Sequence, residues 1–362
     1  MGYTRRSVLT TLSGAGAAGL TGCLSGNSAT DDGAGFDAAV SFPVIYDFTA
    51  NVVPESAEAE NLVPVGQHGH GWEPSPDVQR SVASADAFVY VFEGFQPWAD
   101  DMVANLRNDN PDVAVVEAGA DVELLEVGES VHEHGDGEGH EEDGHAHEDH
   151  NGTEGDHGDD EGHEEDHEGG HEESEGDEGE EHDHEDGNAN PHFWLDPLRA
   201  KTTVDSVADG LAEAHGTDGY TENAEAYKSR LDELHEDFES SLSSASKDTV
   251  LVAGHDAFAY LGARYGFRVE TLTGVSPDQQ PSPQDIRRAQ DLIDEEGIEY
   301  VLAPVFESDR AARSLVNDTT ATEVLPITAF AGFSQDWLDD GWGYVEVMRN
   351  VNLSSLEKAL EA

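Results

Sequence analysis

Residues 131–187 of this 362-residue chain hold 27 acidic residues and 12 histidines, with no lysine or arginine. No apolar residue recurs there at a helical or strand period. Such a run cannot bury a core, and its own charge holds it open, so it is expected to be disordered. Whatever folds must be built from its two flanks, with the run looping out between them. Those flanks are acidic as well. Of 79 acidic residues, 79 − 27 = 52 lie outside the run and face 17 basic ones, a formal excess of 35. That sign argues against nucleic acid, whose phosphates need cationic partners. An excess so evenly spread points to a high-salt habitat, where screening relieves self-repulsion.

The chain opens "MGYTRRSVLTTLSGAGAAGLTGCLSG". Arg5 and Arg6 precede a weakly apolar stretch, Val8 to Leu20. It is too short and too rich in Gly and Ala to span about 30 Å of hydrocarbon. It reads as an export signal over residues 1–22, resembling the twin-arginine type that carries folded cargo. "LTGC" resembles a lipobox, and Cys23, the chain's single cysteine, would be the lipidated first mature residue. Disulfides and thiolate metal sites are thereby excluded. Residues 23–40 read as a flexible tether. The expected location is the cell surface, outside the cytoplasmic membrane and lipid-anchored to it.

From "AAVSFPVIYDFTANVV" onward, strands and helices alternate, beginning with a strand near Val40–Val44. "ADAFVYVF" and "VAVVEA" have strand length, and "PWADDMVANLRND" between them has helical spacing. After the acidic run, Val204, Val207, Ala208 and Leu211 form one face of a helix. Ala224, Tyr227, Leu231, Leu234, Phe238 and Leu242 form the face of a second, with Thr221 as its N-cap. Then "TVLVA", "RVETL", "EYVLAPV" and "TEVLPI" alternate with helical segments. This predicts an α/β protein of two lobes, each a mainly parallel sheet flanked by helices. The long helix in between could connect them. The expected division is an N-terminal lobe over 41–219 that includes the run, a linker helix over 220–246 and a C-terminal lobe over 247–362.

Six histidines lie outside the run: His68, His70, His192, His215, His235 and His255. His70, His192 and His255 sit in loop-like settings with turn chemistry around them, and in open α/β sheets ligands bind beyond the carboxyl ends of strands. Imidazole suits zinc and other late transition ions, and three rings leave a fourth tetrahedral position for carboxylate or water. Spacing alone is a weak signal, because a lone loop histidine is usually solvated. His215 and His235 fall on helix surfaces, and His68 reads as exposed, though it could assist His70.

The stretches "NLVPVGQHGHGWEPSPDVQRSVASADAFVYVFEGFQPWADD", "NPHFWLDPLRAK", "GHDAFAYLGARYGFRVETLTGVSPDQQPSPQDI" and "YVEVMRNVNLSSLEKAL" change that weight. In this order they resemble the metal-binding solute receptors of zinc and manganese ABC importers, the cluster A-I family, here in a haloarchaeal guise. The resemblance implies two α/β lobes on a rigid long helix, with metal held between them. It places ligand roles on His70, before "WEPSP", on His192, before "WLDP", and on His255, before "DAF". Histidine at the third position and a His-rich insert both look like the zinc branch, with Mn2+ less favoured. One departure stands out. The family's last ligand, an Asp in an "LDPL"-like turn, is missing from "EVLPITAF". Glu307, Glu73 or water is left for that place.

The implied function is an extracytoplasmic receptor that delivers Zn2+ to a membrane permease and its ATPase, as a monomer and without catalysis. His132, His134, His140, His145, His147, His150, His157, His163, His167, His171, His182 and His184 would add weak, exchanging metal sites near the folded one. Alternatives are a manganese or iron receptor of the same family, and a zinc-dependent hydrolase with Glu73 or Glu307 as base. No HExxH pattern supports the hydrolase.

Overall fold

The computed structural model describes residues 36–126, 189–216 and 219–362. The expected export signal, Cys23, most of the tether and the twelve histidines of the acidic run lie outside these residues. Order begins earlier than the sequence suggests. Strand β1 occupies Phe36–Val40, inside the expected tether. The strand anticipated near Val40–Val44 is displaced upstream because Pro43 starts helix α1 (Pro43–Val52). Proline cannot donate to a sheet ladder, but it fits the first turn of a helix.

The N-terminal lobe continues with β2 (Ala57–Asn61), α2 (Pro76–Val82), β3 (Ala87–Tyr90), α3 (Pro97–Asp109) and β4 (Ala114–Glu117). Its four strands are parallel in the order β2-β1-β3-β4. Strand β2, "AEAEN", was not legible from propensity, since Ala and Glu are weak strand formers. It lies at the sheet edge, and its exposed Glu58 and Glu60 discourage pairing with another chain. A two-stranded antiparallel stub follows, β5 (Leu125–Glu126) with β6 (Ala189–Asn190). The chain therefore leaves for the acidic run and returns from it at one place.

Next come a 3-10 turn at Phe193–Leu195, then α4 (Pro197–His215) and α5 (Gly219–Leu242). All the apolar positions expected on α4 and α5 are buried. Thr221 is not the cap, because α5 starts ahead of it at Gly219. The C-terminal lobe holds β7 (Thr249–Val252), α6 (Ala259–Tyr265), β8 (Arg268–Thr271), α7 (Pro283–Glu296), β9 (Tyr300–Pro304), α8 (Arg310–Asp318) and β10 (Glu323–Ile327). Its strands are parallel in the order β10-β9-β7-β8. Helices α9 (Gln335–Asp339), α10 (Tyr344–Val347) and α11 (Ser354–Ala359) close the chain, with a π-helical segment, Met348–Leu353, between the last two. Among the described residues, no helix is long and apolar enough to cross a membrane.

The main core does not stop at the lobe boundary. Val40, Phe48 and Trp194 from the first lobe, Leu234 and Phe238 from α5, and Leu302, Ile327 and Tyr344 from the second belong to one buried cluster. A shared core of this kind opposes free hinging. Asp47 lies within the junction. Tyr227 of α5 donates its hydroxyl to Asp47 Oδ1 at 2.7 Å. Burial pushes the Asp47 carboxyl up to about 6, against the opposing pull of Tyr227, the Tyr344 backbone and Arg230. An acid raised in the folded state costs stability once the unfolded chain ionises. The cost grows from about pH 4 to pH 6 and levels at about 3 kcal/mol. The difference in unfolding free energy between native protein and Asp47→Asn, from urea titrations, should therefore shift in favour of the variant by that order as pH rises from 4 to 6.5. A pH-independent difference would mean that Asp47 ionises normally.

Candidate metal centre

Each residue of the centre follows the carboxyl end of a parallel strand or the β5–β6 stub. His68 and His70 follow β2, His192 follows β6, His255 follows β7 and Glu307 follows β9. The structure brings His70, His192 and His255 together. Ring centroids are 5.0 Å apart for His192 and His255, 5.2 Å for His70 and His192, and 6.2 Å for His70 and His255. His192 and His255 are buried. His68 and His70 line the wall of a cleft of about 510 Å³, with Asp278, Phe306 and Glu307. A larger groove of about 1050 Å³ runs along β8, but among the described residues no histidine lines it.

The hydrogen-bond network assigns the tautomers. Asn190 Nδ2 donates to the Asp256 carbonyl at 3.0 Å, so Asn190 Oδ1 is the end that faces His192. That oxygen accepts the His192 backbone N–H at 3.1 Å and meets ring Nδ1 at 2.9 Å. His192 Nδ1 thus carries the proton. His255 Nδ1 lies 2.5 Å from Glu307 Oε1, an acceptor, so it is protonated too. With both rings neutral, the two Nε2 atoms carry lone pairs, and they face each other at 3.2 Å. Two lone pairs at that distance repel unless a cation lies against both. His70 Nε2 is a third buried nitrogen, without a hydrogen-bond partner among the described residues. Burial, followed by the neighbouring imidazoles, holds His70 and His192 well below the ordinary histidine range. Burial also lowers His68. Charging any of these rings is disfavoured, so they stay available as neutral donors into mildly acid solution.

Two sequence expectations change here. His68 is half-buried rather than exposed, 5.2 Å from the His70 ring. Its Nδ1 accepts the His70 backbone N–H at 3.2 Å, which leaves the proton on Nε2. Glu307 lies on the Nδ1 side of His255, opposite the side that faces His192, so its visible role is to orient His255. Glu73 is exposed. His215 and His235 stand apart, bonded to Tyr220 and Tyr265.

The loop after β10, Thr328–Phe333, holds the histidine-bearing loops in place. Ala329 O accepts from Trp194 Nε1 at 2.8 Å, Ala331 O from Gly69 N at 2.6 Å and Phe333 O from Gly66 N at 2.8 Å. A side chain at Gly69 would meet the Phe42 ring at 2.6 Å and Ala331 O at 3.0 Å, so glycine permits this approach. The loop is itself clamped. Asn352, buried in the π-helical segment, accepts from Thr328 N and donates to Thr328 O, both at 2.9 Å. Phe330 is held at φ 55, a left-handed conformation that costs about 1–3 kcal/mol for a non-glycine residue. Below the centre, buried Asp196 caps α4 through Leu198 N at 2.9 Å and takes Arg264 of α6 in a bidentate pair, at 2.6 and 3.0 Å. Neither Asn190 nor Asn352 was singled out in the sequence. Asn190, two residues before His192, offered a signal, whereas Asn352 offered none.

The family described as "Zinc-uptake complex component A periplasmic" matches residues 39–359. The zinc-binding protein AdcA of Streptococcus pyogenes serotype M3 is 27% identical over 319 residues, covering 87% of this chain and 54% of that protein. The chain thus spans about half the length of that relative. The high-affinity zinc uptake system protein ZnuA of Bacillus subtilis is 26% identical over 336 residues, covering 92% of this chain and 90% of that one. The zinc(II)-bound ZnuA-like domain of AdcA from Streptococcus pneumoniae superposes with a TM-score of 0.66 at 22% identity, covering 91% of this chain and all of that one (100%). The likeness at that identity is one of fold.

Proposed function

The chain belongs to the zinc-uptake complex component A family, and from that premise we propose that it is an extracytoplasmic receptor that captures Zn2+ between its lobes and delivers it to an ABC permease and its ATPase. The observation that carries this reading is the gathering of three histidine rings, with centroids 5.0 to 6.2 Å apart, and the approach of the His192 and His255 Nε2 atoms to each other. The His192–His255 separation of 3.2 Å is close to the ~3.3 Å between two nitrogens on a tetrahedral zinc with Zn–N near 2.05 Å. His70, His192 and His255 are the ligands in this reading, and water from the cleft completes the shell. The names of the relatives support zinc over manganese, as does an all-imidazole set. The hydrolase reading loses support. A general base must reach the metal-bound water, yet Glu307 is engaged by His255 and Glu73 is exposed.

Anchoring through a lipid on Cys23 and a monomeric state belong to the same proposal. The histidines of residues 131–187 act as weak auxiliary sites that enrich metal near the cleft, as tethering does.

The test is a pair of variants. His70→Ala should lower zinc affinity more than about 100-fold, because it removes a ligand nitrogen. His68→Ala should cost no more than about tenfold, as expected for a group that only supports a ligand. Calorimetry against a competing chelator confines the measurement to the tight site. Equal losses would assign the ligand wrongly. No loss at either position would remove the centre from this cleft.

A further inference from the structure

Asn190 has a place in the fold that its size does not suggest. It ends β6, the strand by which the chain returns from the acidic run, and it is almost wholly buried, with 1% of its surface exposed. Three of its polar groups are used around the centre. Its side-chain oxygen accepts both N–H groups of His192, backbone and ring. Its side-chain nitrogen crosses to the other lobe and donates to the carbonyl of Asp256, the residue after His255. Its own carbonyl accepts the Tyr260 hydroxyl of α6 at 2.7 Å, and the same hydroxyl accepts Leu125 N of β5 at 2.8 Å. One amide therefore fixes the tautomer and the direction of one imidazole and ties down the backbone beside another.

Resting on the zinc-receptor reading above, we propose that Asn190 is the positioning residue of the centre: it holds His192 with Nε2 unprotonated and links the His192 and His255 segments across the lobes, so that their two lone pairs are already aimed at one point before metal arrives. His255 receives comparable support from Glu307, a carboxylate. His192 receives it from a neutral amide, so only one of the two oriented rings rests on a carboxylate. Without the amide, the His192 ring can adopt the other tautomer, with its proton on Nε2 and no lone pair for the metal. The strut to Asp256 is lost as well. An outer partner that orients a metal-binding histidine contributes about 10–100-fold in affinity. The Asn190→Asp variant separates the two duties. Its carboxylate would still accept from His192 Nδ1 but could not donate to the Asp256 carbonyl.

The experiment uses the full chain, with Zn2+ titrated against a competing chelator and Co2+ followed by its visible absorption, for native protein, Asn190→Ala, Asn190→Asp and His192→Ala. Thermal unfolding of each metal-free protein is measured alongside. Asn190→Ala should lose about 10–100-fold in zinc affinity and weaken the tetrahedral Co2+ bands. Asn190→Asp should recover most of both while remaining as destabilised, metal-free, as the alanine variant, because the interlobe strut is missing in each. Native affinity in Asn190→Ala would overturn the proposal. So would equal losses of affinity in the two variants that only follow their unfolding temperatures, since that pattern belongs to a residue that merely supports the fold. His192→Ala guards the premise. If it binds zinc as the native protein does, the receptor reading fails, and this inference fails with it.

Discussion

Zinc added to the His192→Ala protein is expected to produce no rise in unfolding temperature. His192 is fully buried, and its Nε2 faces that of His255 at 3.2 Å. Two imidazoles from different segments cannot close a tetrahedral shell around zinc in a buried site, and water cannot replace the missing ring at its fixed position. The loss should reach ~1000-fold in affinity or more, which is about 4 kcal/mol. A native protein at a thousandfold excess of zinc over its dissociation constant gains a similar amount by mass action. That gain is read as an upward shift in calorimetric unfolding, and it should vanish in the variant. The metal-free variant should tell the opposite story. Removing one of two opposed lone pairs relieves repulsion and offsets part of the cavity left by the ring, so its unfolding temperature should fall little. A full zinc-induced shift in His192→Ala would move the site elsewhere.

The second large effect is on stability. Asp196→Ala should destabilise the metal-free protein by about 3–4 kcal/mol. Asp196 is 2% exposed, and it serves both as the cap of α4 and as the bidentate partner of Arg264. Removing one member of a buried pair costs about 3–5 kcal/mol, because the other charge is left without compensation. Arg264 is about one-third exposed, at 33%, so water recovers some of that and the pair's share falls to the low end. The lost cap adds about 1 kcal/mol. Asp196→Asn keeps an acceptor for Leu198 N and should lose less. Denaturant midpoints at constant slope would measure both. Near-native stability in the alanine variant would show that the guanidinium finds other partners.

Much of the architecture was legible because periodicity reports burial. The α5 face from Ala224 to Leu242 and the strands Thr249–Val252 and Tyr300–Pro304 are apolar where the fold needs them. Strand β2 was missed because its pairing with β1 comes from the sheet rather than from "AEAEN" itself. The start of α1 was missed because Pro43 was read as part of an apolar run and not as a first-turn residue. At the centre, the motifs around His70, His192 and His255 led to the three rings the structure gathers. The role of Glu307 did not follow from them. Spacing lists which residue types are available, but whether a carboxylate faces the metal or the far nitrogen of a ring depends on a few ångströms of tertiary placement. The same holds for His68, whose Nδ1 is committed to the backbone of its neighbour.

The clasp at Thr328–Phe333 also has a bearing on when the centre can exist. His70 and His192 are made before residues 329–333, yet Gly66, Gly69 and Trp194, which fix their loops, donate to carbonyls of those later residues. That clasp is itself secured by Asn352. A nascent chain therefore carries its histidines long before they are held in register. Ordering of the three rings is therefore deferred until residues 329–352 have been made and have closed the clasp over the loops made before them.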